Sequence, residues 1–356
     1  MVPVKKEGIL LEKTNNGFEC EGVLNPAVIE HEGNIHIFYR AVAKGNYSSI
    51  GHCTLSDPTH IYERSEIPFL FPQNDYESQG MEDPRIVQIE NEFYMTYTAF
   101  DGHNALGALA TSTDLINFHK QGVIVPQVSY NEFNHLSSSR GLLNEKYYRF
   151  NGMYQTNEIN DTKTLLWDKN LIFFPRRIKG KLAFLHRVRP DIQITSVNKI
   201  SELTPEFWQH YFIHMHEHIL LAPKYKHEVS YIGGGCPPLE TKEGWLLIYH
   251  GVHDTIDGYV YSACAALLDI NDPRKEISRL PYALFKPEME WELRGEVNNV
   301  CFPTGIVTKG TTLYIYYGAA DEHIAVASVE IPELLTELLK HKKFYATNKH
   351  TNQKQH

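Results

Sequence analysis

"ENEFYMTYTAF" (residues 90–100) starts at a short polar turn, alternates into an aromatic-rich run, and ends on Tyr97, one variable residue and a small residue. Tyr, Phe and Thr at this density favour a pleated strand. The same design recurs in "EGNIHIFYRAV" (32–42), "IKGKLAFLHRV" (178–188), "KEGWLLIYHGV" (242–252) and "KGTTLYIYYGA" (309–319). Companion strands follow most copies, as in "SIGHCTLSDPTHIYER" and "ALGALATSTDLINFHKQG", each with a Ser/Asp/Pro turn between two short runs. Repeats of one strand-rich unit point to a radial array. Five copies read as an all-β, five-bladed β-propeller, with a large β-sandwich as the alternative. The copies lie further apart than the roughly 40–50 residues of a four-stranded blade, so loops must be inserted.

Working outward, the reading places one propeller over residues 1–330. A C-terminal helix follows over 331–342, and a polar tail over 343–356. Few amphipathic helices are expected before "IPELLTELLKHKK". Aligning Tyr39, Tyr97, His186, Tyr249 and Tyr316 puts Arg40, Thr98, Arg187, His250 and Tyr317 at equivalent places near a central channel. Two arginines, a histidine and a tyrosine converging there would make an anion site.

Such a site would stand out in this chain. Its net charge is −9, which argues against nucleic acid as a partner. No apolar run approaches the roughly 18 residues of a membrane span. The N-terminus "MVPVKKEGILLEK" lacks a leader's apolar stretch, so a cytoplasmic location is expected, with a periplasmic one open if a leader was removed. The five cysteines show no paired spacing and read as buried thiols. No metal is implied. His214, His216 and His218 alternate in "HYFIHMHEH" and would share one face of a strand, with no carboxylate motif beside them. Gly233–Gly235 read as a tight backbone turn, since no phosphate-loop pattern accompanies them.

"GMEDPRI" (80–86) sets Glu82 and Asp83 at the mouth of the second copy. A carboxylate beside a cationic pocket in an aromatic-rich site suggests general acid chemistry on a carbohydrate. Pro84 would stiffen the strand entrance around Asp83. Glu82 reads as structural, and Arg85 as the partner of a carboxylate.

"LNPAVIEHEGNIHIFYRA", "GMEDPRI", "LIFFPRRIKGKLAFLHR", "GGGCPPLETKEGWLLIYHGV", "GYVYSACAALLDINDPRKEISR" and "VNNVCFPTGIV…YIYYGAADEHIAVA", in chain order over about residues 20–330, resemble glycoside hydrolase family 130. That family holds β-mannoside phosphorylases and some β-1,2-mannosidases on a five-bladed propeller. The resemblance implies that Asp83 is the catalytic acid, relaying its proton through the mannose 3-hydroxyl. It implies that Asn25, Arg40 and Asp321 hold the sugar, and that Lys169, Arg187, His250 and Tyr261 hold phosphate. A phosphorylase needs no cofactor. Its partners are a mannoside and inorganic phosphate as co-substrate, and a homo-oligomer is left open.

Two features depart from the family pattern. Tyr231 stands where a phosphorylase lysine is expected, and residues 134–167 form an insertion suited to a lid or an oligomer contact. Because Lys169, Arg187 and His250 are retained, phosphorolysis is favoured. Inverting hydrolysis is the alternative, and a non-catalytic glycan-binding propeller the third reading. As the acid, Asp83 must hold a proton, which requires burial or bound-phosphate charge to raise its pKa.

Overall fold

The structure is a computed structural model and describes residues 1–152 and 164–342. The polar tail and the middle of the 134–167 insertion lie outside these residues. After β1 (Lys5–Leu11), the chain builds β2 (Gly22–His31), β3 (Asn34–Ala43), β4 (Tyr47–Asp57) and β5 (His60–Arg64) as one antiparallel unit. A second unit comprises β6 (Gly80–Ile89), β7 (Glu92–Phe100), β8 (Ala105–Ser112) and β9 (His119–Val123). Among the described residues a single parallel pairing, Ser48 with Gly80, joins these two units.

Helices α1 (Tyr130–Ser138) and α2 (Lys146–Gly152) intervene before β10 (Lys169–Phe173), β11 (Leu182–Arg187) and β12 (Ile192–Val197). The third unit is completed, after α3 (Pro205–Ile213), by β13 (Ile219–Leu221). The fourth holds β14 (Tyr231–Gly234) and β15 (Leu239–Thr241), both paired with β16 (Gly244–Thr255), then β17 (Gly258–Leu268) and β18 (Glu276–Arg279). After the short α4 (Glu290–Leu293), the fifth runs through β19 (Cys301–Lys309), β20 (Thr312–Ala319) and β21 (His323–Glu330). Its outer strand is β1, brought from the other end of the chain. The C-terminal helix is α5 (Ile331–Lys340).

Each repeated segment is thus second from the innermost strand in the hydrogen-bonded order of its unit: β3, β7, β11, β16 and β20. Burial on both faces explains their apolar runs. In β16, Trp245, Leu247 and Tyr249 pack with the third unit, whereas Leu246 and Ile248 pack with the fifth. Five apolar clusters lie between successive units, the fifth and first included, where Tyr316 and Val326 meet Ile37 and Tyr39.

A buried acid locks four of the units in the same way. Tyr39 donates to Glu19 (2.8 Å), Tyr97 to Glu77 (2.7 Å), Tyr249 to Glu228 and Tyr317 to Glu292 (2.6 Å). A cation from the outer strand completes each pair: Arg64, Lys120, Arg279 and, from β1, Lys6. In the third unit the counterpart is Asp168, whose Oδ2 lies 2.8 Å from His186 Nδ1, with Tyr211 of α3 on the other ring nitrogen. This register corrects the sequence alignment. The fifth member is Tyr317, not Tyr316, so Tyr317 is bound to Glu292 and the residue after it is Gly318.

The helices were underestimated. Thr204 caps α3 by accepting from the Phe207 N–H at 3.3 Å, and Pro205 opens it. The histidine run therefore leaves a helix and enters a 3₁₀ turn (Met215–Glu217) instead of a strand. His210 and His214 stack as helical neighbours, and His218 stacks on Tyr211.

Candidate active site

The innermost strands share a local irregularity that builds the site. Pairing slips between Leu24 and Ala27 on β2, between Glu82 and Arg85 on β6, and between Lys169 and Ile172 on β10. Inside each slip sits a residue with left-handed backbone: Asn25 (φ 51°), Asp83 (φ 49°) and Asn170 (φ 55°). Asn and Asp are the side chains best suited to that conformation, and a bulge re-aims a side chain out of the ladder. Pro26 and Pro84 follow two of them, where an interrupted ladder needs no N–H. The proline beside the acid pair therefore belongs to a bulge that turns Asp83 towards its neighbours.

Those neighbours are sequence-expected residues from other units. Asn25 Nδ2 donates to Asp83 Oδ1 at 2.7 Å. Arg40 places one guanidinium nitrogen 3.7 Å from Asp83 Oδ1 and another 2.9 Å from Glu82 Oε1. Lys169 Nζ lies 3.6 Å from Glu82 Oε2, so the buried Glu82 bridges Arg40 and Lys169. Arg85 departs from expectation. It donates to the backbone carbonyls of Gly235 (2.6 Å), Asp83 (2.7 Å) and Pro84 (3.2 Å), clamping the bulge from behind. Gly318 is required by close approach, because a Cβ there would overlap Asn25 Oδ1.

The two carboxylates differ. Burial pushes Asp83 upward, but Arg40, Arg85, Lys169 and the Asn25 bond outweigh it and hold the carboxyl below its usual range. Burial raises Asp321 to about 6; Arg40 opposes the rise, and the charges of Asp83 and Glu82 reinforce it. In the ligand-free site Asp83 is therefore ionised, contrary to what the acid role demands of the reacting complex.

Around Lys169 the other cluster assembles. Lys169 and Arg187 are cross-strand partners on β10 and β11. Arg187 Nη1 is 3.4 Å from His250 Nε2, and its backbone N–H donates to Asp168 Oδ1 at 3.1 Å. The Arg187 side chain has no ion-pair partner among the described residues, and its buried Nε has no hydrogen-bond partner there. Burial and the adjacent Arg189 push its pKa down to about 10. Burial first, then Arg187, Arg85 and Arg189, drive His250 well below the usual histidine range. These influences favour the neutral imidazole at His250 in the ligand-free site. Tyr261 meets the group through its hydroxyl, bonded to that of Tyr231.

Gly233 and Gly234 lie within β14, not in a turn. A Cβ on Gly233 would overlap the His250 ring and crowd Arg187. Sequence reasoning missed Asn170, equivalent to Asn25 and Asp83, because Leu171 follows it where the other two copies carry a proline. It also missed Arg189, which no repeat position marks.

A sequence model of glycoside hydrolase family 130, described as β-1,4-mannooligosaccharide phosphorylase, matches residues 10–157 and 147–340. The 1,2-β-oligomannan phosphorylase of Thermoanaerobacter sp. (strain X514) is 31% identical over 338 residues, covering 92% of this chain and 96% of the relative. The β-1,2-mannobiose phosphorylase of the same organism is 33% identical over 330 residues, covering 88% and 91%. Among solved structures, β-1,2-mannobiose phosphorylase from Listeria innocua, in complex with β-1,2-mannobiose, superposes with a TM-score of 0.69 at 24% identity, covering 94% of this chain and 99% of that one. That last likeness bears on the fold. With a family match along most of its length and relatives above 30% identity across most of both chains, this chain belongs to glycoside hydrolase family 130.

Proposed function

We propose that this protein cleaves β-mannosides by inverting phosphorolysis, releasing mannose 1-phosphate and a shortened saccharide. Asn25, Arg40 and Asp321 hold the mannose beside Asp83. Lys169, Arg187, His250 and Tyr261 hold phosphate opposite the departing sugar. Phosphate attacks the anomeric carbon while Asp83 gives its proton, through the mannose 3-hydroxyl, to the glycosidic oxygen. No cofactor enters the reaction. The five units are read as blades of a five-bladed propeller around this site, a reading supported by the apolar cluster between each successive pair.

The observation that carries the reaction type is the company of Arg187. An inverting hydrolase needs a carboxylate base to activate water. Asp168, which accepts from the Arg187 backbone N–H, is fully buried and committed to that bond and to His186, and Glu82 is committed to Arg40 and Lys169. What surrounds Arg187 instead is positive charge, neutral imidazole and phenol, which suits a phosphate dianion. A dianion there also offsets the cations that depress Asp83, so phosphate binding favours the protonated acid. Arg187→Ala is therefore expected to raise the phosphate KM well beyond any change in the mannoside KM. Equal rises in both constants would count against the assignment.

A further inference from the structure

Tyr231 stands where the family resemblance led to the expectation of a lysine, and positive charge is nevertheless gathered around it. Two guanidinium groups lie on the Tyr231 ring, Arg187 with its central carbon 5.4 Å from the ring centroid and Arg189 at 4.3 Å. An Arg189 nitrogen also lies 3.4 Å from the Tyr231 hydroxyl, which in turn bonds the Tyr261 hydroxyl. Tyr231 is itself buried, and Phe150 of α2 meets it edge-on at 5.9 Å. The phenol thus stands between two arginines and fixes the approach of both.

Resting on the phosphorylase reading, we propose that Arg189 is a further phosphate-binding residue, supplying from β11's exit the positive charge that the expected lysine would have carried at position 231. Like charges are placed close together at a cost unless an anion joins them. Here Arg187 has a buried Nε with no partner among the described residues. The charge of Arg189 acts on the rest of the cluster, depressing the pKa values of Arg187 and His250 and opposing the rise at Tyr261. Arg187 and Arg189 also line one small cleft with Trp167 and Phe150. A planar guanidinium held on an aromatic face is pre-organised for two phosphate oxygens, which a lysine at position 231 could not match in geometry.

The test is calorimetric titration of the full-length protein with inorganic phosphate, alongside steady-state kinetics. Arg189→Gln is expected to weaken phosphate binding at least about tenfold and to raise the phosphate KM in parallel, with the mannoside KM within about twofold. Placing a lysine at position 231, in the double variant Arg189→Gln with Tyr231→Lys, is expected to restore phosphate affinity to within about threefold of wild type. A purely structural role would not be rescued in this way. Arg189→Met, which keeps the stem on the Tyr231 ring, carries the same expectation if the glutamine variant does not fold. Wild-type phosphate affinity in Arg189→Gln or Arg189→Met, with Arg187→Ala impaired, would overturn the role of Arg189 alone. Absence of phosphate binding by the wild-type protein would overturn the phosphorylase reading and this inference together.

Discussion

Asp83 combines three constraints that few side chains satisfy at once: left-handed backbone, a bond from Asn25, and three cations around its carboxyl. Asparagine tolerates the same backbone and nearly the same shape. Asp83→Asn is therefore expected to fold normally while turnover falls about 10²–10⁴-fold, the usual contribution of a general acid. The pH dependence follows from the sign of the shift. Asp83 works protonated, so activity falls as pH rises through its pKa. The free site depresses that pKa, and bound phosphate raises it. The basic limb of kcat, measured at saturating phosphate, should thus lie at higher pH than that of the mannoside kcat/KM at low phosphate. In Asp83→Asn this limb should vanish; its persistence would assign it to another group. At this scale Asp83 was legible from its acid pair beside Pro84, and Asn25 through the family resemblance; the bulges that seat both were not, because a proline step alone does not show which ladder it interrupts. The low pKa of Asp83 was not legible, since it comes from Arg40, Arg85 and Lys169, which lie on three different strands. The partnership of Arg189 with Tyr231 joins two units and leaves no trace in either segment.

Among the elements, the second strands were readable because burial on both faces makes them continuous aromatic and aliphatic runs. Their buried acids were not. Glu19, Glu77 and Glu228 end short 3₁₀ turns before the innermost strands, a context that looks like ordinary polar loop until the fold pairs each with a tyrosine and a distant cation. Tyr316 and Tyr317 could be told apart only by that partner. The helix α3 illustrates the opposite error. Its Thr-Pro-Glu start was present, but the alternating histidines after it suggested a strand. The acid lock itself is testable through Glu77, which is fully buried and bonded to the partly buried Lys120 and to Tyr97. Glu77→Ala leaves the lysine charge uncompensated and is expected to cost about 3–5 kcal/mol in equilibrium unfolding. Tyr97→Phe, which removes one hydrogen bond, should cost about 1 kcal/mol. A loss below that of Tyr97→Phe in the glutamate variant would show that the lock is not held by charge.

At the scale of the whole molecule, the fifth unit is completed by a strand that no repeat announced. β1 lies far in sequence from its partner β21, and Lys6 on it completes the acid lock of the fifth unit. The five-unit count was legible because repetition survives loop insertion. The role of β1 was not, because seven residues without a copy elsewhere carry no periodic signal. Bringing the units together is also what assembles the site: Asn25 and Arg40 come from the first, Asp83 from the second, Lys169 and Arg187 from the third, His250 and Tyr261 from the fourth and Asp321 from the fifth. The chemistry assigned to that convergence is a choice between phosphate and water at one anomeric carbon. Incubation with β-1,2- or β-1,4-mannobiose, with and without inorganic phosphate and followed by phosphorus NMR, measures that choice directly. The account predicts mannose 1-phosphate in step with substrate loss, and negligible cleavage when phosphate is withheld. Free mannose released at the same rate in phosphate-free buffer, with no sugar phosphate on adding phosphate, would contradict it.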